Sequence, residues 1–194
     1  IPADLLDKAI EARHFLIEKI ADYDDEIAEL YLEDAEIPEE MLKKAIRNAT
    51  IKLMITPVLC GAAYKNKGIQ LLLDAIVDYL PSPTDLGAVI AHDPDDEEKT
   101  YQRNPSANEP LAALAFKLIN DPYVGQQTFI RIVSGKISNG MSVYNTNKRK
   151  NERIGRIFKI KAKEREEISE AGPGEIVALV GMKYTRTGDT LCDD

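Results

Sequence analysis

Two stretches of this 194-residue chain carry residue types and spacings that could do chemistry. The first is "ITPVLCGAAYKNKG", residues 55–68, an apolar run that ends in two alanines and then in Lys-Asn-Lys-Gly. Small residues at the end of a strand let another group approach the main chain, and such turns hold nucleotides in open α/β sheets. Packing alone also produces such turns, so the alanine pair by itself decides nothing. The second is "KRKNERIGRIFKIKAKER", residues 148–165, with nine bases against Glu152 and Glu164. "KRKN" reads as a hairpin tip led by Lys148, Arg149, Lys150 and Arg153. The following bases alternate with Ile154, Ile157, Phe158 and Ile160, which makes a basic face on an apolar-backed strand. Such a face suits phosphate contact; it is also how a solvated edge strand protects itself.

Self-contained catalytic motifs are lacking. There is no G-x-x-x-x-G-K-[ST] loop, C-x-x-C, H-E-x-x-H or G-x-S-x-G. His14 and His92 stand alone, and "DPDDEE" at 93–98 lacks the glycine and spacing of a calcium loop. Both histidines are expected as ordinary residues and the acidic run as a solvated loop.

The charge is uneven. Net charge is −8 overall, yet residues 1–50 hold 14 acids against 6 bases, and residues 110–194 hold 10 against 14. This asymmetry suggests an acidic arm joined to a domain facing nucleic acid. The acidic arm has two readings, a solvated helix face or a docking surface for a basic partner. Two cysteines, Cys60 and Cys192, exclude a disulfide framework and fit a reducing, cytoplasmic setting with thiols as buried fillers. No run is long and apolar enough to span a bilayer, so no membrane partner is expected. The opening "IPADLL", without Met, reads as an excised piece.

Around these stretches the pattern predicts four parts. Residues 1–50 read as helices, with a break at Asp22, Asp24 and Asp25 and a new start at Pro38-Glu39-Glu40. Residues 51–86 read as a buried strand over 51–60, a turn, and a helix with Ile69, Leu72, Leu73, Ile76 and Val77 on one face. Residues 87–109 are polar and Pro-containing, hence a linker. Residues 110–194 show short alternating strands punctuated by glycine, which suggests a small antiparallel barrel.

The longer segments carry a family resemblance. "PVLCGAAYKNKGIQLLLDAIVDYLPSP" resembles the end of the GTP-binding domain of the bacterial elongation factor G family. "EPLAALAFKLINDPYVGQQTFIRIVSGKISNGMSVYNT" and "EAGPGEIVALVGMKYTRTGDTLCD" resemble that family's second domain, and "IPADLL" through "EIPEEMLKKAIRNAT" resembles the helical insertion of its GTPase domain. The resemblance implies a fold class of α/β plus β: a helical insertion, the closing strand and helix of a P-loop GTPase, and a translation-factor β-barrel. It implies a ribosome-dependent GTPase that moves tRNA and mRNA, using GTP/GDP with Mg2+, while this chain alone is inactive and binds none. It also implies small-subunit ribosomal RNA against the barrel and the ribosomal stalk protein against the helical insertion.

The resemblance assigns the turn as the fifth guanine-nucleotide motif, with Ala62, Ala63 and Tyr64 in its positions. Ala62 replaces the usual serine, so the Ala63 amide is the contact carried over. "NKG" at 66–68 is not the base-reading Asn-Lys-x-Asp motif, because Ile69 stands where its Asp belongs. A ribosomal-protection or release factor of similar layout is the neighbouring reading. A non-enzymatic RNA-binding adaptor is the competing class.

Overall fold

A computed structural model describes residues 1–96, 98–122 and 125–193. The chain divides into two compact units, Ile1–Pro81 and Ser82–Asp194.

The first unit is helical: α1 Leu6–Ala21, α2 Asp25–Leu32, α3 Glu39–Ile51 and α4 Ile69–Tyr79. Asp24 ends the break between α1 and α2 as an N-cap, its carboxylate accepting from the Ile27 amide at 3.2 Å. Pro38 precedes α3, and Glu39 and Glu40 fill its first turn, where the dipole favours acids. Ile20, Ile27, Ile37, Leu42, Ala45 and Ile46 form one small core. Arg47 ties α3 to α4, donating to the carbonyls of Val77, Asp78 and Leu80 at 2.8–3.3 Å. Those are carbonyls at the helix's C-terminal end, which have no partner within the helix.

The buried strand expected over residues 51–60 does not form. Ile51 still belongs to α3, which ends with Leu53 in the left-handed region (φ 59°) and the Met54 amide bonded to the Ala49 carbonyl at 2.9 Å. Residues 55–60 form neither helix nor strand, and Val58 is 87% exposed. β-Branched composition favours a pleated surface but cannot supply the neighbouring backbone that a strand needs. Cys60, expected as a buried filler, is exposed for the same reason, while Cys192 is half-buried.

The second unit holds twelve strands among the described residues. The expected linker contains a hairpin, β1 Val89–His92 with β2 Thr100–Arg103, in register Val89↔Arg103 to His92↔Thr100. Asp93 closes it, accepting from the Tyr101 hydroxyl at 2.9 Å and the Asp95 amide at 3.0 Å. Glu97, within the acidic run, lies outside the described residues. The polarity of 93–96 belongs to the hairpin's turn rather than to a structureless linker.

The strands that follow are β3 Ala112–Asp121, β4 Gly125–Ser134, β5 Ile137–Ser138, β6 Ser142–Asn145, β7 Lys150–Arg153, β8 Arg156–Lys161, β9 Glu164–Ile168, β10 Glu170–Ala171, β11 Ile176–Val180 and β12 Thr190–Cys192. Eight of them form one antiparallel sheet in the order β7-β6-β12-β3-β4-β11-β8-β9, and β5 pairs with β10 separately. Its connectivity forces this sheet to curl. β7 lies at one edge and β8 beside the other, yet only Ile154 and Gly155 join them. Two residues reach less than about 10 Å, whereas six intervening strand spacings measure about 28 Å if laid flat. The two ends must therefore meet, and the Gly155 amide does bond to the Val180 carbonyl in β11 at 3.0 Å. A Cβ on Gly155 would lie 2.6 Å from that carbonyl oxygen, so the corner requires glycine. The barrel interior is filled by inward-facing residues such as Ile130, Ile132, Val143, Ile157 and Leu179, all at most 1% exposed. Gly135 (φ 68°) lets the chain after β4 pass Leu111, whose Cα would lie 2.6 Å from an added Cβ.

Candidate nucleotide turn and nucleic-acid interface

The turn after residues 55–60 is closed by its own main chain. Ala62 and Lys67 exchange amide–carbonyl bonds at 3.0 and 3.1 Å, an isolated antiparallel bridge. Between them Ala63–Lys65 form one tight helical turn, in which the Lys65 amide reaches the Ala62 carbonyl at 2.9 Å and the Asn66 amide the Ala63 carbonyl at 2.9 Å. Asn66 (φ 51°) and Gly68 (φ 75°) then reverse the chain into α4. Two glycines make this closure possible. A Cβ at Gly61 would sit 3.1 Å from the Lys67 carbonyl oxygen, and one at Gly68 would sit 3.1 Å from the Cys60 oxygen. Their spacing is visible in the sequence, yet their role is legible only once the two limbs of the turn are placed side by side.

This geometry presents donors. In such a turn the first closing bond is made by the Lys65 amide, so the amides of Ala63 and Tyr64 precede the turn's internal bonding and point out of its start. Both residues are exposed, and the Tyr64 ring packs on nothing. A recess of about 180 Å³ lined by Leu59, Cys60, Gly61, Ala63, Gly68 and Ile69 opens beside them. The structure thus brings Ala62, Ala63 and Tyr64 together on one turn. Among the described residues no group of three or more His, Cys, Asp or Glu side chains could hold a metal ion. His14 stacks edge-on to Tyr31 at 5.3 Å, and His92 lies in β1.

The basic stretch divides between two hairpins. Residues 146–149 are the tip joining β6 to β7, with Arg149 in the left-handed region (φ 52°). Lys148 Nζ lies 3.8 Å from Asp189 Oδ1, Arg149 pairs with Asp95, Lys150 Nζ stands 4.5 Å from the centre of the Tyr184 ring, and Arg153 Nε donates to the Gly140 carbonyl at 3.1 Å. Further on, Lys159 pairs with Glu175 at 2.9 Å, Lys161 with Glu166 at 2.8 Å, Arg156 with Glu167 at 4.0 Å, and Arg165 with Asp121. The continuous basic face read from the sequence is therefore interrupted by acids from β9 and neighbouring segments. The exposed pairs among these, such as Arg149 with Asp95 and Lys161 with Glu166, hold weakly.

One residue of the basic stretch is an exception. Glu152 is buried, and its carboxylate accepts from the amides of Lys183 (2.6 Å) and Tyr184 (2.8 Å) and from the Thr185 hydroxyl (2.5 Å). Burial pushes its pKa up, but these hydrogen bonds outweigh burial and hold it below the ordinary carboxylate value. Buried Asn145 donates to Thr185 Oγ1 (3.1 Å) and Asp189 Oδ2 (3.0 Å), and Asp189 Oδ2 also accepts from the Arg186 amide at 2.8 Å. The sequence reading missed this network, because Asn145, Glu152, Thr185 and Asp189 are scattered polar residues until the β6–β7 hairpin is laid beside the loop before β12.

The chain thus carries a barrel-like antiparallel sheet, a glycine-hinged turn and a group of helices. Residues 110–194 match a family model described as elongation factor G domain 2. The chain is 52% identical over 192 residues to elongation factor G of Wolbachia pipientis subsp. Culex pipiens (strain wPip), covering 99% of this chain and 28% of that protein. A crystal structure from Thermus thermophilus shares the fold, with a TM-score of 0.76 at 24% identity over 100% of this chain and 26% of that one. Residues 110–194 are thus similar to domain 2 of elongation factor G, and nearly the whole chain aligns with one stretch of the Wolbachia relative. It spans little more than a quarter of that relative's length. Among the described residues no helix is long and apolar enough to cross a membrane.

Proposed function

We propose that this chain is part of a ribosome-dependent translocation GTPase, in which the 61–68 turn reads the guanine edge and the barrel faces small-subunit ribosomal RNA. The 52% identity across nearly all of the chain carries this reading. In it the Ala63 amide, with Ala62 and Tyr64 beside it, donates to a guanine oxygen, and the Gly61 and Gly68 backbones let the base come close. GTP or GDP supplies the phosphates, and these with Mg2+ are held by parts of the full-length protein other than this chain, which has no phosphate loop. Catalysis of phosphoryl transfer is mainly positioning and electrostatics around those phosphates. The chain alone therefore does not hydrolyse GTP. Lys148, Arg149, Lys150 and Arg153 make the phosphate contacts to RNA, and the acidic helical arm faces the ribosomal stalk protein.

Ala63→Pro in the full-length protein tests the guanine contact. Proline fits the first position of a helical turn, and the preceding Ala62 (φ −130°, ψ 84°) already lies outside the helical region that a following proline disfavours, so the change removes chiefly one donor. GDP affinity should fall roughly 2- to 10-fold, with discrimination against ADP reduced. Unchanged affinity and discrimination would remove the turn from the site.

A further inference from the structure

The loop from Gly181 to Asp189 is built with more care than a connection between two strands needs. Met182, Thr185 and Asp189 point inward and are buried, while Lys183, Tyr184 and Arg186 point outward and are exposed. The inward side is fixed by the buried Glu152 carboxylate, which accepts from three successive residues, and by Asn145 and Asp189. A buried carboxylate is costly unless it is fully hydrogen-bonded, and here these three bonds all go to this loop. What the network holds up is one aromatic ring among cations. Tyr184 is 46% exposed, Lys150 Nζ lies 4.5 Å from its ring centre, and Lys183 and Arg186 flank it in sequence. Lys148, at the adjoining hairpin tip, is linked to the same network through Asp189.

A phosphate-only surface would need the cations alone. An aromatic ring left nearly half open beside them adds a face on which a base can stack, and stacking with flanking cations is how unpaired nucleic acid is held. We infer that Tyr184 is a stacking platform for an unpaired RNA base, with Lys183, Arg186 and Lys150 on the neighbouring phosphates. This rests on the RNA reading of the barrel and specifies it: the ligand includes a loop or bulge, not a fully paired helix alone.

The test uses this chain with two RNA probes of equal length, a hairpin with an unpaired loop and a blunt duplex. Tyr184→Ala should weaken loop binding by about 5- to 150-fold, the range for loss of one stacked base, leave duplex binding unchanged, and leave the salt dependence unchanged because no charge is lost. Tyr184→Phe should retain the wild-type preference. The chain contains no tryptophan, so Tyr184→Trp gives a single reporter whose emission the loop RNA should quench and the duplex should not. Circular dichroism checks folding. Loop binding by the wild type with no loss in Tyr184→Ala overturns this inference and leaves the RNA reading standing. Equal losses for loop and duplex also overturn it. Wild-type chain that binds neither RNA overturns both.

Discussion

The two units hide their apolar side chains to very different degrees. In the barrel the sheet curls around a core, and Ile130, Ile132, Ile157 and Leu179 are wholly buried. In the helical unit the α4 residues Leu71, Leu73 and Val77 remain open, as do Val58 and Leu59 in the unpaired run. A barrel needs no outside partner because its last strands meet its first. A lone apolar run followed by a helix buries itself only against a sheet, and this unit contains no ladder among the described residues. The difference teaches that the barrel buries its own apolar side chains, whereas the 61–68 turn is held in shape by local backbone bonds and two glycines. This fits the proposal that residues 51–86 complete a larger nucleotide-binding domain.

The comparison breaks most visibly in stability. Ile130→Ala or Leu179→Ala should cost the barrel about 2–5 kcal/mol, the range for emptying a packed core site. Leu71→Ala or Val77→Ala should change stability by less than about 0.5 kcal/mol in this chain, since exposed positions carry little. Denaturant unfolding of each variant checks this, and equal costs would mean that α4 is not open. Next in size, Glu152→Ala should cost about 2–4 kcal/mol, because it leaves buried loop donors without an acceptor. Acid sharpens the same point. The folded pKa of Glu152 lies below its ordinary value of 4.5, so its contribution is complete above that pH and is lost as pH falls through the lower folded value. Barrel stability should drop on acidification below about 4.5, and Glu152→Gln should blunt that drop. An identical acid profile in Glu152→Gln would assign the effect to other carboxylates held low in the fold, among them Glu175, held first by the Gly172 amide and then by Lys159.

Much of this architecture was legible in the residues. Alternation along "TFIRIV" announces a half-buried strand, Asp22, Asp24 and Asp25 mark the break between helices, and Pro38 with Glu39 and Glu40 marks a helix start. Composition misled at residues 51–60, where β-branched residues signal a preference for sheet but not the presence of a partner strand. It misled again at 89–103, where a polar turn masked the pairing of Val89 with Arg103 and of Ile90 with Gln102. At the candidate sites, Ala62, Ala63 and Tyr64 were visible as a small-residue turn, but the reason for Gly61 and Gly68 was not, because it lies in a contact between the two limbs of the turn. The basic stripe was visible as charge. Its acidic partners Asp95, Asp121, Glu175 and Asp189 come from other strands and loops, so only the assembled barrel shows which cations are engaged.

The central claim, that the barrel and not the acidic arm faces RNA, is tested most directly by a salt titration of binding to a small-subunit ribosomal RNA fragment. Each neutralised phosphate contributes about 0.7 to 0.9 to the log–log slope. Replacing Lys148, Arg149, Lys150 and Arg153 together by Ala should flatten that slope by about three units, with the barrel still folded by circular dichroism. The matched set Lys8, Lys19, Lys44 and Lys52, all exposed on the helical unit, should leave it nearly unchanged when replaced by Ala. Arg47 is kept out of that set because it secures the end of α4. Equal slopes in the wild type and both variants would contradict the account and return the basic hairpin to a solvated strand edge.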